Sequence, residues 1–312
     1  MLENIKRINS MLRNSLQPLS KDAMLFPCGM SRSGTTLLTT ILDSHSQVSL
    51  GYELIPPKVP DPVTLKELLE KGLTLSGGSF EKCGKALRSA GENDVGLFFK
   101  RCHRASVSLA ELREVLDELE KEGYREISTL RERLGIAWKI TLRKKLKENS
   151  FISGFKLNIS SFEEAYKLFP GGYFIYIIRD PRDVVDSHIE RGFKKTPEEI
   201  CFSWNQYIKK FDEFQKKYSS ISLVIKYEDL VDNPRLTIHN IFDILPIKIE
   251  QNVFEFYNSK ASVHNSNHPN SANLRRDFFT TSVGRWRNGL DEKTAKKVTD
   301  LCKDKMVAYN YV

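Results

Sequence analysis

"AMLFPCGMSRSGTTLLTTILDS" (residues 23–44) is the stretch that decides the fold. A short apolar run leads into Gly29, a second glycine follows at Gly34, and the segment after it has the composition of a helix. A glycine-rich turn between a strand and a helix directs backbone N–H groups at one point, and the helix N-terminus adds partial positive charge there. The stretch therefore predicts a strand, an anion-binding loop and a helix, in that order.

The loop differs from a nucleotide-hydrolysing P-loop at one decisive position. Gly29 and Gly34 have the P-loop spacing, and Thr36 occupies its Ser/Thr position. Thr35, however, stands where that loop has the lysine that reaches the γ-phosphate, while Arg32 lies inside the loop. Without that lysine, ATP-type phosphoryl transfer loses its main charge clamp. A kinase-like P-loop phosphotransferase is therefore the alternative hypothesis, and the loop favours another phosphate-like ligand.

Apolar runs bounded by turn or polar residues predict the strands of a sheet. Four of these runs are strong: 24–26, 151–155, 173–178 and 221–227. A fifth run, at 47–52, is weaker. Helical patterns follow the glycine loop, at 35–44, and the third strong strand, at 183–192, where Gly192 is a C-terminal stop. Strands that alternate with helices predict an α/β fold in which helices flank a central, P-loop-like parallel sheet on both faces.

Residues 60–149 have a different, purely helical pattern. Leucines share one face of the segment 108–123, and Ser108 with Glu111 forms a capping box at its start. A second helical stretch follows at 130–148. We expect a helical insertion or lid, packed over the sheet. The predicted organisation is a single domain over 1–312, with a core of 22–59 and 150–312 and the insertion at about 60–149.

Composition restricts the class of protein without naming a partner. The chain is 40% hydrophobic and 28% charged, typical of a globular protein, and its apolar runs are far too short to span a bilayer. The net charge is +8, but the basic run 143–148 has no RNA-binding aromatic and glycine pattern beside it, so we expect no nucleic acid partner. Five scattered cysteines without a CxxC pair predict neither a zinc site nor disulfides, which favours a cytoplasmic location.

A second phosphate-binding motif lies in "IYIIRDPRDVVDSHIERG" (175–192). Arg179 comes at the C-terminal end of a predicted strand, where ligands bind in open parallel sheets. Ser187 and Arg191 are four residues apart on the following helix and therefore share one face. An arginine at the strand end, a serine and a second arginine can enclose a terminal phosphate with charge-assisted hydrogen bonds.

Both motifs resemble those of sulfotransferases that use 3′-phosphoadenosine 5′-phosphosulfate (PAPS). "RSGTT" (32–36) is similar to the family's 5′-phosphosulfate loop, and "IIRDPR" with its helix is similar to the 3′-phosphate motif. "VIKYEDLVDNP" (224–234) resembles a strand-then-loop segment near the nucleotide, and "SVGRWRNGL" (282–290) resembles a segment that closes over the 3′-phosphate. The resemblance spans the sheet core, and the sequence suggests no counterpart for 60–149. The donor-binding residues that it implies are Arg32, Ser33, Gly34, Thr35, Thr36, Arg179, Ser187, Arg191, Tyr227 and Arg285.

The resemblance also implies three catalytic residues. Arg32 would stabilise the leaving oxygen, and the spacing from Arg32 to Glu53 resembles the tyrosylprotein branch of the family, in which a glutamate at this place is the base. Lys156 resembles a lysine that lies near the sulfonate. The alternatives stay open here: Glu53 is a loop carboxylate paired with a lysine such as Lys58, or His103 is the base.

The expected function is metal-free, in-line transfer of the sulfonate of PAPS to a hydroxyl or amine, with 3′,5′-adenosine bisphosphate as the product. The form of the motifs looks like that of soluble, microbial-type sulfotransferases, whose acceptors include small metabolites, carbohydrates, lipids and carrier-bound chains. A nucleotide-binding module without catalysis is a further alternative, although Glu53, Arg32 and Lys156 are all present.

Overall fold

The computed structural model describes residues 23–124, 126–143, 150–157, 160–259, 261 and 271–312. Five parallel strands form one sheet in the order β2-β3-β1-β4-β5. Their bounds are β1 Ala23–Cys28, β2 Val48–Gly51, β3 Ile152–Phe155, β4 Tyr173–Ile178 and β5 Ser222–Lys226. All five predicted strands are confirmed, and the weakest apolar run forms the edge strand β2.

Helices connect the strands and cover the sheet. Their bounds are α1 Thr35–Asp43, α2 Pro62–Leu75, α3 Phe80–Ser89, α4 Asn93–Arg104, α5 Leu109–Lys121, α6 Leu130–Arg143, α7 Phe162–Leu168, α8 Pro181–Glu190, α9 Pro197–Lys217, α10 Tyr227–Asp232, α11 Pro234–Phe242, α12 Ser271–Leu274, α13 Trp286–Gly289 and α14 Glu292–Ala308. Short 3₁₀ turns lie at Ser219–Ile221, Gln251–Val253 and Phe256–Asn258. The segment after β5 was expected to be a loop, but its first six residues form α10.

Both faces of the sheet are buried, as the α/β prediction requires. Side chains alternate along β1, so that Leu25 packs on one face while Phe26 packs on the other. Leu25 belongs to a cluster with α1, α10 and α11. Phe26 belongs to a second cluster that includes Phe174 and Phe214, whose ring centroids are 4.9 Å apart. Polar residues lie instead at the edge of the sheet that the carboxyl ends of the strands form.

The segment 62–143 is helical in the part that the structure describes, from α2 to α6. The predicted capping box is present: Ser108 N–H donates to Glu111 Oε2 at 2.8 Å, and Glu111 N–H donates to Ser108 Oγ at 3.1 Å. Residues 144–149 of the predicted helix 130–148 lie outside the described residues. Phe98 and Leu134 join the same buried cluster as Phe26. The domain bounds stay a prediction.

The helix predicted at 183–192 is α8, which begins two residues earlier, at Pro181, and ends at Glu190, before the predicted stop at Gly192. Asp180 caps its N-terminus by accepting the Arg182 N–H at 2.9 Å, and Pro181 occupies the first turn. Gly192 has φ +67° just after the end and donates to the Ile189 carbonyl at 2.9 Å. The helix is thereby fixed directly beyond β4. Within the described ranges, no helix has both the length and the apolar character needed to cross a bilayer.

The contact between β1 and β3 generates a stability prediction. A Cβ atom on Gly154 would lie 1.8 Å from the Leu25 carbonyl oxygen, which is backbone and cannot rotate away. Gly154→Ala should therefore lower the free energy of unfolding by about 3 kcal/mol or more. Urea unfolding followed by circular dichroism measures this change. Ser153→Ala, on the same strand, is the control and should change it by less than about 1 kcal/mol; equal losses in both variants would contradict the close packing.

A buried histidine on α8 generates a second prediction, for the pH dependence of stability. His188 is 4% exposed, and its Nδ1 lies 2.8 Å from the Val184 carbonyl oxygen. Burial lowers the pKa of His188 below 6.5, and the nearby charge of Arg32 lowers this pKa too. The unfolded chain therefore takes up a proton that the folded chain resists. The free energy of unfolding should fall as the pH falls below about 6.5, by at most about 1.4 kcal/mol per pH unit.

His188→Asn keeps a donor for the Val184 carbonyl but removes the titrating ring. Its stability should fall less than that of the wild type between about pH 7 and about pH 5.5, measured by urea unfolding at each pH. His239→Asn replaces an exposed histidine and should leave the wild-type pH profile unchanged. Parallel profiles for the wild type and His188→Asn would show that His188 does not cause the loss.

Candidate active site

The glycine loop lies between β1 and α1, at the carboxyl edge of the sheet. Gly34 has φ +93°, in the left-handed region that favours glycine, and a Cβ there would lie 2.5 Å from Tyr227 Cδ2. Arg32 also has a positive φ, +73°. Among the described residues, no side chain caps the first turn of α1, which begins at Thr35. The N–H groups of this turn therefore face the site, with the positive end of the helix dipole.

The loop contacts α8 directly. Arg32 Nε donates to Ser187 Oγ at 2.9 Å, and Ser187 is only 2% exposed. Arg191 lies one turn further along, just past the last residue of α8, and is exposed. The predicted pair is thus close to the loop, but the two residues differ in burial because the helix ends between them. The two motifs found in the sequence are therefore neighbours in the structure.

Arg179 connects the loop, β4 and the late segment 282–286. Its Nη1 donates to the Arg32 carbonyl at 3.2 Å and its Nη2 donates to the Ser282 carbonyl. The guanidinium stacks on the Tyr227 ring, 4.5 Å from the centroid. Trp204 Nε1 donates to the Arg179 carbonyl at 3.0 Å and fixes the backbone. Arg179 Nε is buried and has no hydrogen-bond partner within the described part of the chain, so this donor is left for a ligand.

Tyr227 lies between the glycine loop and Arg179. It is 6% exposed, and burial raises the pKa of its hydroxyl above the usual 10.0. The positive charge of Arg179 and a hydrogen bond with Ser282 lower this pKa, but the effect of burial is larger. The tyrosine therefore stays protonated and acts as a neutral aromatic wall of the site.

Carboxylates of α8 hold the late segment in place. Asp183 accepts the Gly284 N–H at 2.8 Å and the Trp286 N–H at 3.0 Å. Arg285 forms ion pairs with Asp186 and, at 2.8 Å, with Glu190. Arg285 lies at the site, but it is already neutralised by two carboxylates.

Among the charged groups that act on Arg32, cations outnumber carboxylates. Burial lowers the pKa of Arg32, and the charges of Arg191, Arg179 and Arg285 lower it further, while Glu190 raises it. Arginines that destabilise each other's charged form are stabilised by a polyanion between them. The uncapped helix, the unpartnered Arg179 Nε and this positive charge together fit a ligand with several phosphate-like groups.

Glu53 lies between two cations at the other side of the loop. Lys156 Nζ donates to Glu53 Oε1 at 2.8 Å and to Thr36 Oγ1 at 3.1 Å, and Lys156 is only 5% exposed. Arg101 Nη2, from α4, lies 2.7 Å from Glu53 Oε2. The cations found on Glu53 are therefore Lys156 and Arg101, where the sequence suggested Lys58. Lys156 connects the carboxylate with the glycine loop.

Sequence reasoning missed Arg101. Its contact with Glu53 joins positions 48 residues apart, and no local pattern marks it. Two histidines near the site, His103 (the alternative base) and His45, make other contacts. His45 Nε2 lies 2.8 Å from the Lys248 carbonyl oxygen, and the His103 ring packs edge-on against Phe80 at 5.9 Å. In the residues that the structure describes, no group of three or more His, Cys, Asp or Glu side chains is arranged to hold a metal ion.

Comparison with known proteins places this site in a wider context. The model of the Sulfotransferase family matches residues 25–251, more than half of the chain. A candidate protein-tyrosine sulfotransferase of Caenorhabditis briggsae is 24% identical over 289 residues, covering 90% of this chain and 86% of that protein. Such a long alignment includes most of residues 60–149.

Two solved structures share the fold. The sulfotransferase domain of the olefin synthase of Synechococcus PCC 7002 has a TM-score of 0.58 at 17% identity, covering 91% of this chain and 96% of that chain. A sulfotransferase domain from the curacin biosynthetic pathway has a TM-score of 0.54 at 17% identity, covering 89% and 96%. At this identity the likeness concerns the architecture alone, and the family match over most of the sheet carries the assignment. The chain belongs to the sulfotransferase family, whose reaction is the transfer of a sulfonate group.

Proposed function

We propose that this chain transfers the sulfonate of PAPS to a hydroxyl or amine of an acceptor. The observation that carries the proposal is the junction of the two phosphate motifs. Arg32 of the glycine loop donates to Ser187 of α8, and Arg179 donates to the Arg32 carbonyl. A donor with a 5′-phosphosulfate and a 3′-phosphate needs two anion sites that are neighbours, and this junction supplies them.

The donor-binding roles follow the contacts. The N–H groups of Gly34, Thr35 and Thr36 and the hydroxyls of Ser33, Thr35 and Thr36 lie around the uncapped start of α1 and suit the 5′-phosphosulfate. The Ser33 N–H donates to the Met30 carbonyl at 3.2 Å and closes the loop. Arg179, Ser187 and Arg191 suit the 3′-phosphate, with Tyr227 as the wall beside it. We assign Arg285 a different part from the one first expected: through Asp186 and Glu190 it holds the segment 282–290 against α8.

The catalytic roles follow from the geometry around Glu53. PAPS, when bound, supplies an activated sulfonate. Glu53 takes the proton of the acceptor hydroxyl or amine, which makes the acceptor a stronger nucleophile. Lys156 holds Glu53 Oε1 and Thr36 Oγ1 at once, so it fixes the base relative to the glycine loop. Arg32 offers its charge beside the loop and stabilises the negative charge that develops on the departing phosphate oxygen.

The acceptor class is part of the proposal. Small molecules, carbohydrates, lipids, carrier-bound chains and protein hydroxyls all offer the nucleophile that the site requires. A protein acceptor has the support of the name given to the Caenorhabditis briggsae relative. A kinase-like phosphotransferase is not favoured, because Thr35 replaces the P-loop lysine and the family match is to sulfotransferases. We also propose a cytoplasmic location, which the five buried free cysteines support.

Nucleotide selectivity tests the donor site. The wild type should bind 3′,5′-adenosine bisphosphate at least about tenfold more tightly than ADP in calorimetric titrations, because only the former has a 3′-phosphate for Arg179, Ser187 and Arg191. Ser187→Ala combined with Arg191→Ala should remove most of this preference and leave the affinity for ADP within about twofold.

The matched control replaces a serine and a basic residue of similar type away from the site: Ser203→Ala with Lys216→Ala, both on α9. It should bind both nucleotides as the wild type does. Equal weakening of 3′,5′-adenosine bisphosphate and ADP in the double variant would refute the assignment of the 3′-phosphate site. Tighter binding of ATP than of 3′,5′-adenosine bisphosphate by the wild type would refute the sulfotransferase donor altogether.

Removal of the base separates catalysis from binding. Glu53→Gln should lower turnover by at least about 100-fold, because the amide cannot take the acceptor's proton, and should leave 3′,5′-adenosine bisphosphate affinity within about twofold. Release of that product from PAPS, measured with a panel of alcohol, phenol and amine acceptors, gives the rate. Glu213→Gln, at an exposed position of α9, is the control. Wild-type turnover by Glu53→Gln would assign the base to another residue.

A further inference from the structure

Glu228 connects three parts of the chain beside the candidate donor site. It is the second residue of α10, and both oxygens of its carboxylate accept hydrogen bonds. Oε1 accepts the Asp180 N–H at 2.9 Å, and Oε2 accepts the Tyr311 hydroxyl at 3.0 Å. The carboxylate therefore links α10 to the residue that precedes α8 and to the segment that follows α14.

The N–H that Glu228 accepts belongs to the peptide group between Arg179 and Asp180. The other end of this peptide group is the Arg179 carbonyl, which accepts the Trp204 Nε1–H at 3.0 Å. A peptide group is planar and rigid, so hydrogen bonds at both of its ends fix its orientation. Glu228 and Trp204 together therefore fix the backbone from which the Arg179 side chain departs.

Two consecutive residues of α10 hold Arg179. The Tyr227 ring lies 4.5 Å from the guanidinium carbon, measured to its centroid, while Glu228 holds the peptide group of the same arginine. Arg179 is 6% exposed, and its Nε has no hydrogen-bond partner within the described part of the chain. The direction of this donor therefore depends on the contacts that hold the rest of the residue.

The start of α8 shows why the acceptor comes from another element. In a capping box, the residue at the third helical position accepts the N–H of the N-cap residue. The N-cap of α8 is Asp180, and its third position is Asp183. Asp183 instead accepts the N–H groups of Gly284 and Trp286. Glu228 takes the place of the missing acceptor, and Asp183 is left for the late segment.

A closed ring of hydrogen bonds keeps Glu228 in place. Arg182 Nη2 donates to Asp180 Oδ2 at 2.7 Å and to the Tyr311 carbonyl at 3.1 Å. The Tyr311 hydroxyl and the Asp180 N–H both donate to Glu228, which completes the ring. Lys226 Nζ also lies over the Tyr311 ring, 4.5 Å from its centroid. Because each of the four residues in the ring bonds to two others, loss of one contact loosens the rest.

We propose that Glu228 is a positioning residue for recognition of the donor's 3′-phosphate: it holds the peptide group after Arg179, so that the guanidinium keeps one direction. This inference rests on the proposed function, because it takes Arg179 as a ligand of the 3′-phosphate. A carboxylate repels a phosphate, so Glu228 acts through Arg179 and not by contact with the nucleotide.

A purely structural role of Glu228 predicts a different result. If the carboxylate only tied Tyr311 to the core, its loss would lower stability without changing which nucleotide the protein prefers. A positioning role changes the preference, because only a nucleotide with a 3′-phosphate uses Arg179 in this way. The ratio of the affinities for 3′,5′-adenosine bisphosphate and ADP therefore separates the two roles.

Calorimetric titration of the whole chain measures this ratio. Glu228→Met keeps a side chain of similar length but has no acceptor for the Asp180 N–H. It should reduce the preference for 3′,5′-adenosine bisphosphate over ADP about tenfold and leave the affinity for ADP within about twofold. Glu228→Gln keeps an oxygen for this N–H and should restore the preference to within about threefold of the wild type.

Two further variants complete the experiment. Tyr311→Phe keeps the ring beside Lys226 and removes only the hydroxyl on Glu228 Oε2, so it should reduce the preference about threefold. Glu132 supplies the matched control, because its carboxylate accepts the N–H groups of Ser128 and Thr129, at 3.1 and 2.9 Å, before α6. Glu132→Met should keep the wild-type preference.

The outcomes separate this inference from the proposed function. A wild type without preference for 3′,5′-adenosine bisphosphate would overturn the donor site itself. A wild-type preference in Glu228→Met, or equal weakening of both nucleotides, would overturn the positioning role alone. If Glu228→Met binds neither nucleotide, Tyr311→Phe decides: a reduced preference supports the role, and an unchanged preference overturns it.

Discussion

Two buried cations, Arg179 and Lys156, constrain the rest of the candidate active site. Each follows directly after a strand, at the carboxyl edge of the sheet, and each is only 5–6% exposed. A charge that leaves water costs several kcal/mol unless partners surround it, so other elements have to supply those partners. Arg179 donates hydrogen bonds to the glycine loop and to the late segment. Lys156 donates hydrogen bonds to Glu53 and Thr36. The strand ends thereby determine where the loops lie.

This arrangement explains why the site combines elements that are far apart in the chain. Two contacts hold the loop between β1 and α1: Arg179, which follows β4, donates to the Arg32 carbonyl, and Ser187 of α8 accepts from the Arg32 side chain. Tyr227, the first residue of α10, closes the same space because Gly34 has no side chain to displace it. Neither the tyrosine nor the glycine could be larger without moving the loop. Close packing and charge pairing therefore act together at one position.

Much of the architecture could be predicted from the sequence, because a strand buried on both faces is an uninterrupted apolar run. The pairing of Ser108 with Glu111 and the end of α8 before Gly192 were also predictable, because each depends only on residues a few positions apart in the chain. The helix that begins at Tyr227 was missed, since "YEDLVDNP" has turn-forming residues that are typical of a loop. Arg101 could not be found at all, because its partner lies on another element and only the packed fold brings them together.

The order of strands has a consequence for how the protein is made. β1 precedes the other four strands that the structure describes, yet it lies at the centre of the sheet and pairs with β3 and β4, where Leu25 is opposite Gly154 and Tyr173. The anion-binding loop can therefore not acquire its final form until more than half of the chain has emerged from the ribosome. The helices from α2 to α6 depend on nearer neighbours and can form during that wait. The glycine loop is thus translated before the strands that complete its surroundings.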